Sequence, residues 1–201
     1  MYALPDGSQD VVSVLPETTK EPCMNRFRHL FALVLGLFVT LLSAGAFADA
    51  MIHTGDSVRV KSIGPFTAKV YAIRHDMKEK PAQKTKQAVI DADVDKKFTW
   101  TMLRDVDSPK IQKALREAFT MNGFNDQARI NAFVGAFNKE EVKEKSGVVI
   151  TYNAAAKTTT IWVQNAGTAT LQGQDFMKAV WSIWFGKIDQ PSMGDQLMAK
   201  L

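Results

Sequence analysis

Few residues of this chain have the type and spacing to do chemistry. The three histidines, His29, His53 and His75, stand apart from one another, and the single cysteine is Cys23. Neither type clusters as a metal site or a nucleophile–base pair requires. No G-x-S-x-G elbow, glycine-rich phosphate loop or H-E-x-x-H occurs, so the usual hydrolase, nucleotide and zinc chemistries are not encoded. Basic residues interleaved with exposed aromatics, as a single-stranded nucleic-acid surface needs, are not evident either. The sequence therefore implies no cofactor, no metal and no nucleic-acid partner. What remains is a short set of polar residues alternating with apolar ones: Arg59 and Lys61 in Ser57 to Lys61, and Lys69 and Tyr71 in Phe66 to Arg74. An arginine so placed either holds an anion or pairs with a sheet neighbour. A tyrosine there either donates a hydrogen bond or packs.

These residues need a sheet to position them. The alternation in Ser57 to Lys61 predicts a half-buried strand with Arg59 and Lys61 on the opposite face from Val58 and Val60. Gly64-Pro65 breaks it. Phe66 to Arg74 predicts a long second strand, with Phe66, Ala68, Val70 and Ala72 on one face and Thr67, Lys69, Tyr71 and Ile73 on the other. His75 to Lys86 is charged, contains Pro81 and reads as a loop. Lys86 to Ala92 and Lys97 to Arg104 read as a further pair of strands, the latter alternating through Phe98, Trp100 and Met102. Ser108-Pro109 opens a helix, with serine as the N-cap and proline at the first helical position. Its apolar face is Ile111, Ala114, Leu115, Ala118 and Phe119, and Asn122-Gly123 ends it. A second helix from about Asn125 to Asn138 presents Ile130, Phe133, Val134 and Phe137. Gly147 to Tyr152 and Thr158 to Val163 form a hairpin, followed by a short strand from Gly167 to Leu171.

The chain then reaches GQDFMKAVWSIWFG, Gly173 to Gly186. Phe176, Ala179, Val180, Ile183 and Trp184 follow helical spacing, and Met177, Trp181 and Phe185 add a second stripe. A helix apolar over most of its circumference must be covered on more than one side, so it is expected at the centre of the domain. Pro191-Ser192 starts a short terminal helix. Strands and helices are segregated rather than alternating, which predicts an α+β fold with a mainly antiparallel sheet.

The first 48 residues read as processing signals. Asn25 to His29 is basic, Leu30 to Leu42 is almost unbroken apolar, and Ala46-Phe47-Ala48 fits a cleavage site, so residues 24–48 are expected to be a secretory signal peptide. The apolar run is shorter than the roughly 20 residues of a membrane span. No stable span is expected after cleavage at Ala48, and the protein is expected in the periplasm or outside the cell. Residues 1–23 are polar and read as an extension upstream of the true start at Met24. Residues 49–201 have the size of one domain. The net charge of +4 is spread along the chain, which suits solubility with weak attraction to anionic membrane surfaces. Nothing in the pattern selects an oligomeric state.

Several of these runs carry a family resemblance. Val58-Arg59, Lys69-Val70-Tyr71, Leu103 to Pro109, the hairpin Gly147 to Gln164, and G-x-D-F-x-x-A-x-x-S-I-W-x-G ending at Gly186 before Pro191 together resemble the bacterial chalcone isomerase-like family. The resemblance runs from about Gly55 to Leu197. It implies an open-faced β-sandwich, with a large mainly antiparallel sheet, a layer of helices on one face and a ligand cleft between the layers. In the plant enzymes of this family a chalcone phenolate closes onto its own enone, which needs a cation for the phenolate and donors for the enolate.

By the same resemblance, the family's anion-binding arginine falls on Arg59 and the threonine of the next strand on Tyr71. The catalytic tyrosine, lysine and asparagine of the following helix fall on Ile111, Ala114 and Ala118, and the last polar position on Ser182 or Ile183. Three apolar residues cannot stabilise an enolate, which implies a non-catalytic cleft. Some members of the wider family bind fatty acids. The expected function is thus that of an exported protein binding a fatty acid or similar small amphiphilic carboxylate. Arg59 is the expected anion anchor and Tyr71 a second donor, with Lys69, Ile111, Ala114, Ala118 and Ser182 around them. Two other readings stay open. One is an isomerase of the intramolecular lyase type, or another enzyme, using Arg59, Tyr71 and Lys69. The other is a structural or partner-binding envelope protein whose cleft is filled by Trp181 and Trp184.

Overall fold

The alternating stretches pair into a sheet, as their period requires. The structure, a computed structural model, describes residues 50–201; the expected leader and the extension before it lie outside the described residues. In chain order the elements are β1 (Ile52–Ile63), β2 (Phe66–Met77), α1 (Lys86–Asp91), β3 (Lys96–Met102), β4 (Val106–Asp107), α2 (Ser108–Met121), α3 (Gln127–Val134), β5 (Glu141–Val142), β6 (Gly147–Asn153), β7 (Thr158–Val163), β8 (Thr168–Gln172), α4 (Gln174–Phe185) and α5 (Ser192–Leu197). Six strands form one sheet in the order β1-β2-β3-β6-β7-β8, every neighbouring pair antiparallel, while β4 and β5 make a separate two-stranded ribbon. This is the expected α+β architecture.

Register explains the core. His75 of β2 lies opposite Phe98 of β3, Phe98 opposite Ile150 of β6, and Ile150 opposite Ile161 of β7. One buried row therefore crosses the sheet, and Ile73, Trp100, Val148 and Val163 make a second row beside it. Helix α4 lies across both rows. The rings of Trp181 and Trp184 sit 5.0 and 4.6 Å from that of Phe98, and Trp184 is 5.2 Å from Trp100. Eight of its twelve residues are buried between the sheet and the flanking α1, α2 and α5. The helix begins after Gly173 and ends at Gly186, as the sequence predicts. The opposite sheet face, with Thr99, Thr151 and Thr160, stays half-covered or open, and Trp162 there is 45% exposed.

Several elements differ from expectation: β2 runs on through His75, Asp76 and Met77, all buried, where a loop is expected, and the β4–β5 ribbon is an addition. Lys86 to Ala92 is not a strand: Lys86–Asp91 is helical, capped by the Thr85 hydroxyl, which accepts the Ala88 N–H at 3.1 Å. Val89 and Ile90 are adjacent and both buried, which one side of a helix end can satisfy and the two opposed faces of a strand cannot. Lys96 completes this turn from inside the core, its Nζ donating to the carbonyls of Val89 and Ile90 at 2.8 and 3.1 Å. The cap of α2 is Asp107 rather than Ser108. Asp107 is still extended and paired with Glu141 in the ribbon, and Ser108 is already helical, so the helix begins one residue earlier than the serine signal suggests.

Candidate functional site

The cleft exists because strand β2 breaks its own alternation. Arg59 lies opposite Tyr71, but the next residue, Val60, lies opposite Lys69, so Val70 is an extra residue in β2. Such a β-bulge shifts the side-chain phase of the strand beyond it. Ala68, Val70 and Tyr71 consequently all line one cleft, which the strict alternation expected for Phe66 to Arg74 forbids. The expectation that Tyr71 shares its face with Lys69 is corrected: Lys69 is exposed, paired with Val60, and outside the cleft lining. Arg59 and Lys61 sit together on the cleft side, as their spacing predicts.

The cleft has a volume of about 700 Å³, within the roughly 300–1,000 Å³ usual for small-molecule sites. It lies between α2 and the β1–β3 end of the sheet. Ile111, Ala114, Leu115 and Ala118 form the helix wall, and Tyr71, Trp100 and Met102 form the sheet wall. The three positions at which the resemblance replaces polar residues by apolar ones thus meet in one wall. None of the three carries a hydrogen-bond donor; Lys110 and Glu117 of the same helix, with Arg104 and Lys187, also line the cleft. Ser182 is not in this lining, because its hydroxyl donates to the Lys178 carbonyl one turn back in α4 at 2.8 Å; Ile183 occupies the cleft side instead. The cleft is not filled by the two helix tryptophans. Trp181 is turned into the core, and Trp184 contributes an edge of the lining.

The polar end is built by Arg59, Lys61, Tyr71 and Asp189. Arg59 Nη2 and Lys61 Nζ both donate to the Asp189 carboxylate, the latter at 2.7 Å. Arg59 Nη1 is buried and meets no acceptor. Burial raises the Asp189 pKa, but the hydrogen bonds from Lys61 and Arg59 outweigh it and leave the carboxyl below its ordinary range. Tyr71 stacks on Trp100 at 4.7 Å and accepts the Trp184 indole N–H at 3.1 Å. Burial pushes the phenol pKa up, opposed by the Trp184 hydrogen bond and the Arg59 charge. At neutral pH the tyrosine therefore keeps its proton and can donate it.

Several of these residues were not foreseen. Asp189 lies 130 residues from Arg59 in a short segment after Gly186, and no spacing rule connects the two. The helical spacing gives Trp184 as core or as a filler of the cleft, and not as the hydrogen-bond partner of Tyr71. His75 proves to be structural: Trp181 Nε1 donates to His75 Nε2 at 2.9 Å, and His75 Nδ1 faces the Thr54 hydroxyl at 2.6 Å. Thr54 in turn donates to the Leu197 carbonyl at 2.7 Å. This chain of donors places the imidazole proton on Nδ1. Burial holds the His75 pKa down at about 3, helped by the charge of Lys96.

Sheet, helix layer and the cleft between them define an open-faced α+β sandwich whose cleft joins the Arg59–Lys61–Asp189 cluster to an aliphatic stretch of α2. The chain belongs to the chalcone isomerase-like family, whose sequence profile matches residues 47–197. The fold is similar to that of a fatty-acid binding protein from Arabidopsis thaliana, with a TM-score of 0.61 and 12% identity over 75% of this chain and 87% of that one. No curated protein matches the sequence.

Proposed function

We propose that the cleft binds a fatty acid or a similar small amphiphile and holds it without converting it. The observation that carries this reading is the meeting of an aliphatic α2 wall, Ile111, Ala114 and Ala118, with a cationic end at Arg59 in one cleft of about 700 Å³. An alkyl chain gains by leaving water along that wall, and a carboxylate is matched by guanidinium and phenol donors. Tyr71, raised in pKa, offers a proton to hydrogen-bond rather than a base. A wall without donors gives an enolate nothing to lean on, which favours retention over isomerisation. Likeness in fold to a plant fatty-acid binding protein adds support. Export to the periplasm or medium is part of the same proposal. It is supported by the basic, apolar and A-x-A sequence at residues 24–48 and by a family match that starts at residue 47, beside the expected cleavage point.

The test is native mass spectrometry of the protein purified without detergent from a lipid-containing host, followed by denaturing extraction of any bound small molecule. A stoichiometric fatty acid, and affinity for added fatty acid that falls roughly tenfold or more in Arg59→Ala, are the expected results. A protein that arrives empty and ignores added fatty acids overturns the reading.

A further inference from the structure

Arg59 does not meet the cleft as a free cation. Its side chain is 12% exposed, one η nitrogen is held by Asp189 and the other is buried without an acceptor. Asp189 sits in the strap of residues 186–191 that joins α4 to α5. Two further clasps besides the carboxylate hold that strap. Asn122, at the end of α2, accepts the Lys187 N–H at 2.7 Å and donates to the Lys187 carbonyl at 3.0 Å. The Gln190 amide donates to the Val58 carbonyl at 2.8 Å and accepts the Val60 N–H at 3.0 Å, clasping the edge strand β1. Between these two neutral clasps, Asp189 points a carboxylate at the one arginine of the cationic end.

We infer that Asp189 is a built-in competitor for the ligand head group, and so the residue that sets how the cleft ranks acids against neutral amphiphiles. The inference rests on the reading of the cleft as an amphiphile site. Binding is then an exchange of one carboxylate for another on Arg59. The displaced Asp189 keeps its second partner, Lys61, through Oδ2, and the buried Nη1 gains an acceptor it otherwise lacks. An alcohol cannot make this exchange, because it would leave a shielded guanidinium with a weaker partner than the carboxylate it lost. A neutral amphiphile is held by its chain alone.

The experiment compares a long-chain fatty acid with the fatty alcohol of equal length by titration calorimetry, on the wild type and on Asp189→Asn. Asparagine keeps the shape, and the Asn122 and Gln190 clasps keep the strap. Removing the competitor should tighten the acid by about tenfold while the alcohol moves by no more than about twofold. Arg59→Ala in the Asp189→Asn background should abolish that gain, since the exchange takes place on Arg59. A gain that survives the loss of Arg59 would come from the changed surface charge alone and would overturn the inference. Acid affinity that is unchanged or weaker in Asp189→Asn would overturn it as well, while leaving the amphiphile site intact. Failure of the wild type and the variant to bind either probe would overturn the amphiphile reading itself, and the competitor with it.

Discussion

The indole N–H of Trp184 donates to the hydroxyl of Tyr71 at 3.1 Å, which ties the central helix to the strand that carries the cleft's neutral donor. The phenol ring is fixed at the same time by stacking on Trp100, with an interplanar angle of 9°. A donor held on two sides loses little freedom when a ligand arrives.

Tyr71→Phe should therefore act on stability as well as on binding. It removes the acceptor of a buried indole N–H, at a cost of about 1–3 kcal/mol. Urea unfolding of Tyr71→Phe, Trp184→Phe and the double variant should show the double change costing less than the two singles together, because the second loss removes the orphaned partner. Strict additivity would show that the hydrogen bond contributes nothing.

His75 should make the fold sensitive to mild acid. Its folded pKa of about 3 lies below the unfolded value of 6.5. The unfolded chain thus takes up a proton below pH 6.5 that the folded chain refuses until about pH 3. Stability should fall with decreasing pH across that window, by up to about 1.4 kcal/mol per pH unit. Urea midpoints measured from pH 7 to 4.5 check this, and His75→Phe should flatten the slope while lowering stability throughout, since it leaves the buried Trp181 indole N–H without its acceptor.

Lys96 should act at the other end of the scale. Burial lowers its folded pKa to about 7 against 10.5 in the unfolded chain, opposed by the charges of Asp91 and Asp93. The unfolded state binds the extra proton between these values, so stability should rise as pH goes from about 7 to 9. Lys96→Met should remove that rise, and unfolding measurements at pH 7, 8 and 9 would reveal it.

The α2 wall offers a steric test. Ala114 is exposed on the cleft side, so Ala114→Trp can fill the cleft without entering the core. Its stability should stay within about 1 kcal/mol of wild type, while fatty-acid affinity should drop by roughly tenfold or more. Unchanged affinity in a folded Ala114→Trp protein would place the chain elsewhere.

Much of the fold could be read along the chain. The period of two in Lys97 to Met102 and the hairpin after Gly147 name their own buried faces, and Gly173 and Gly186 bound a helix whose spacing leaves no other reading. The Lys86 to Asp91 helix was missed because six residues are too few for a period to decide between helix and strand. Its signal was the cap at Thr85. In the cleft, Arg59, Tyr71, Ile111, Ala114 and Ala118 do come together, whereas Lys69 and Ser182 do not.

The sequence by itself determined which segments alternate, which helix must be central, and that the α2 positions facing the sheet carry no donors, because each of these is a local periodicity of side chains on a regular backbone. Only the tertiary structure decided that Val70 is an extra residue, which turns Ala68 and Tyr71 into one cleft, and that Asp189 closes on Arg59. Both depend on the register of β1 against β2 and on a strap anchored to β1 and to the end of α2, each far from it along the chain. Packing of the whole sheet and helix layer sets those distances, and no single stretch of residues contains them.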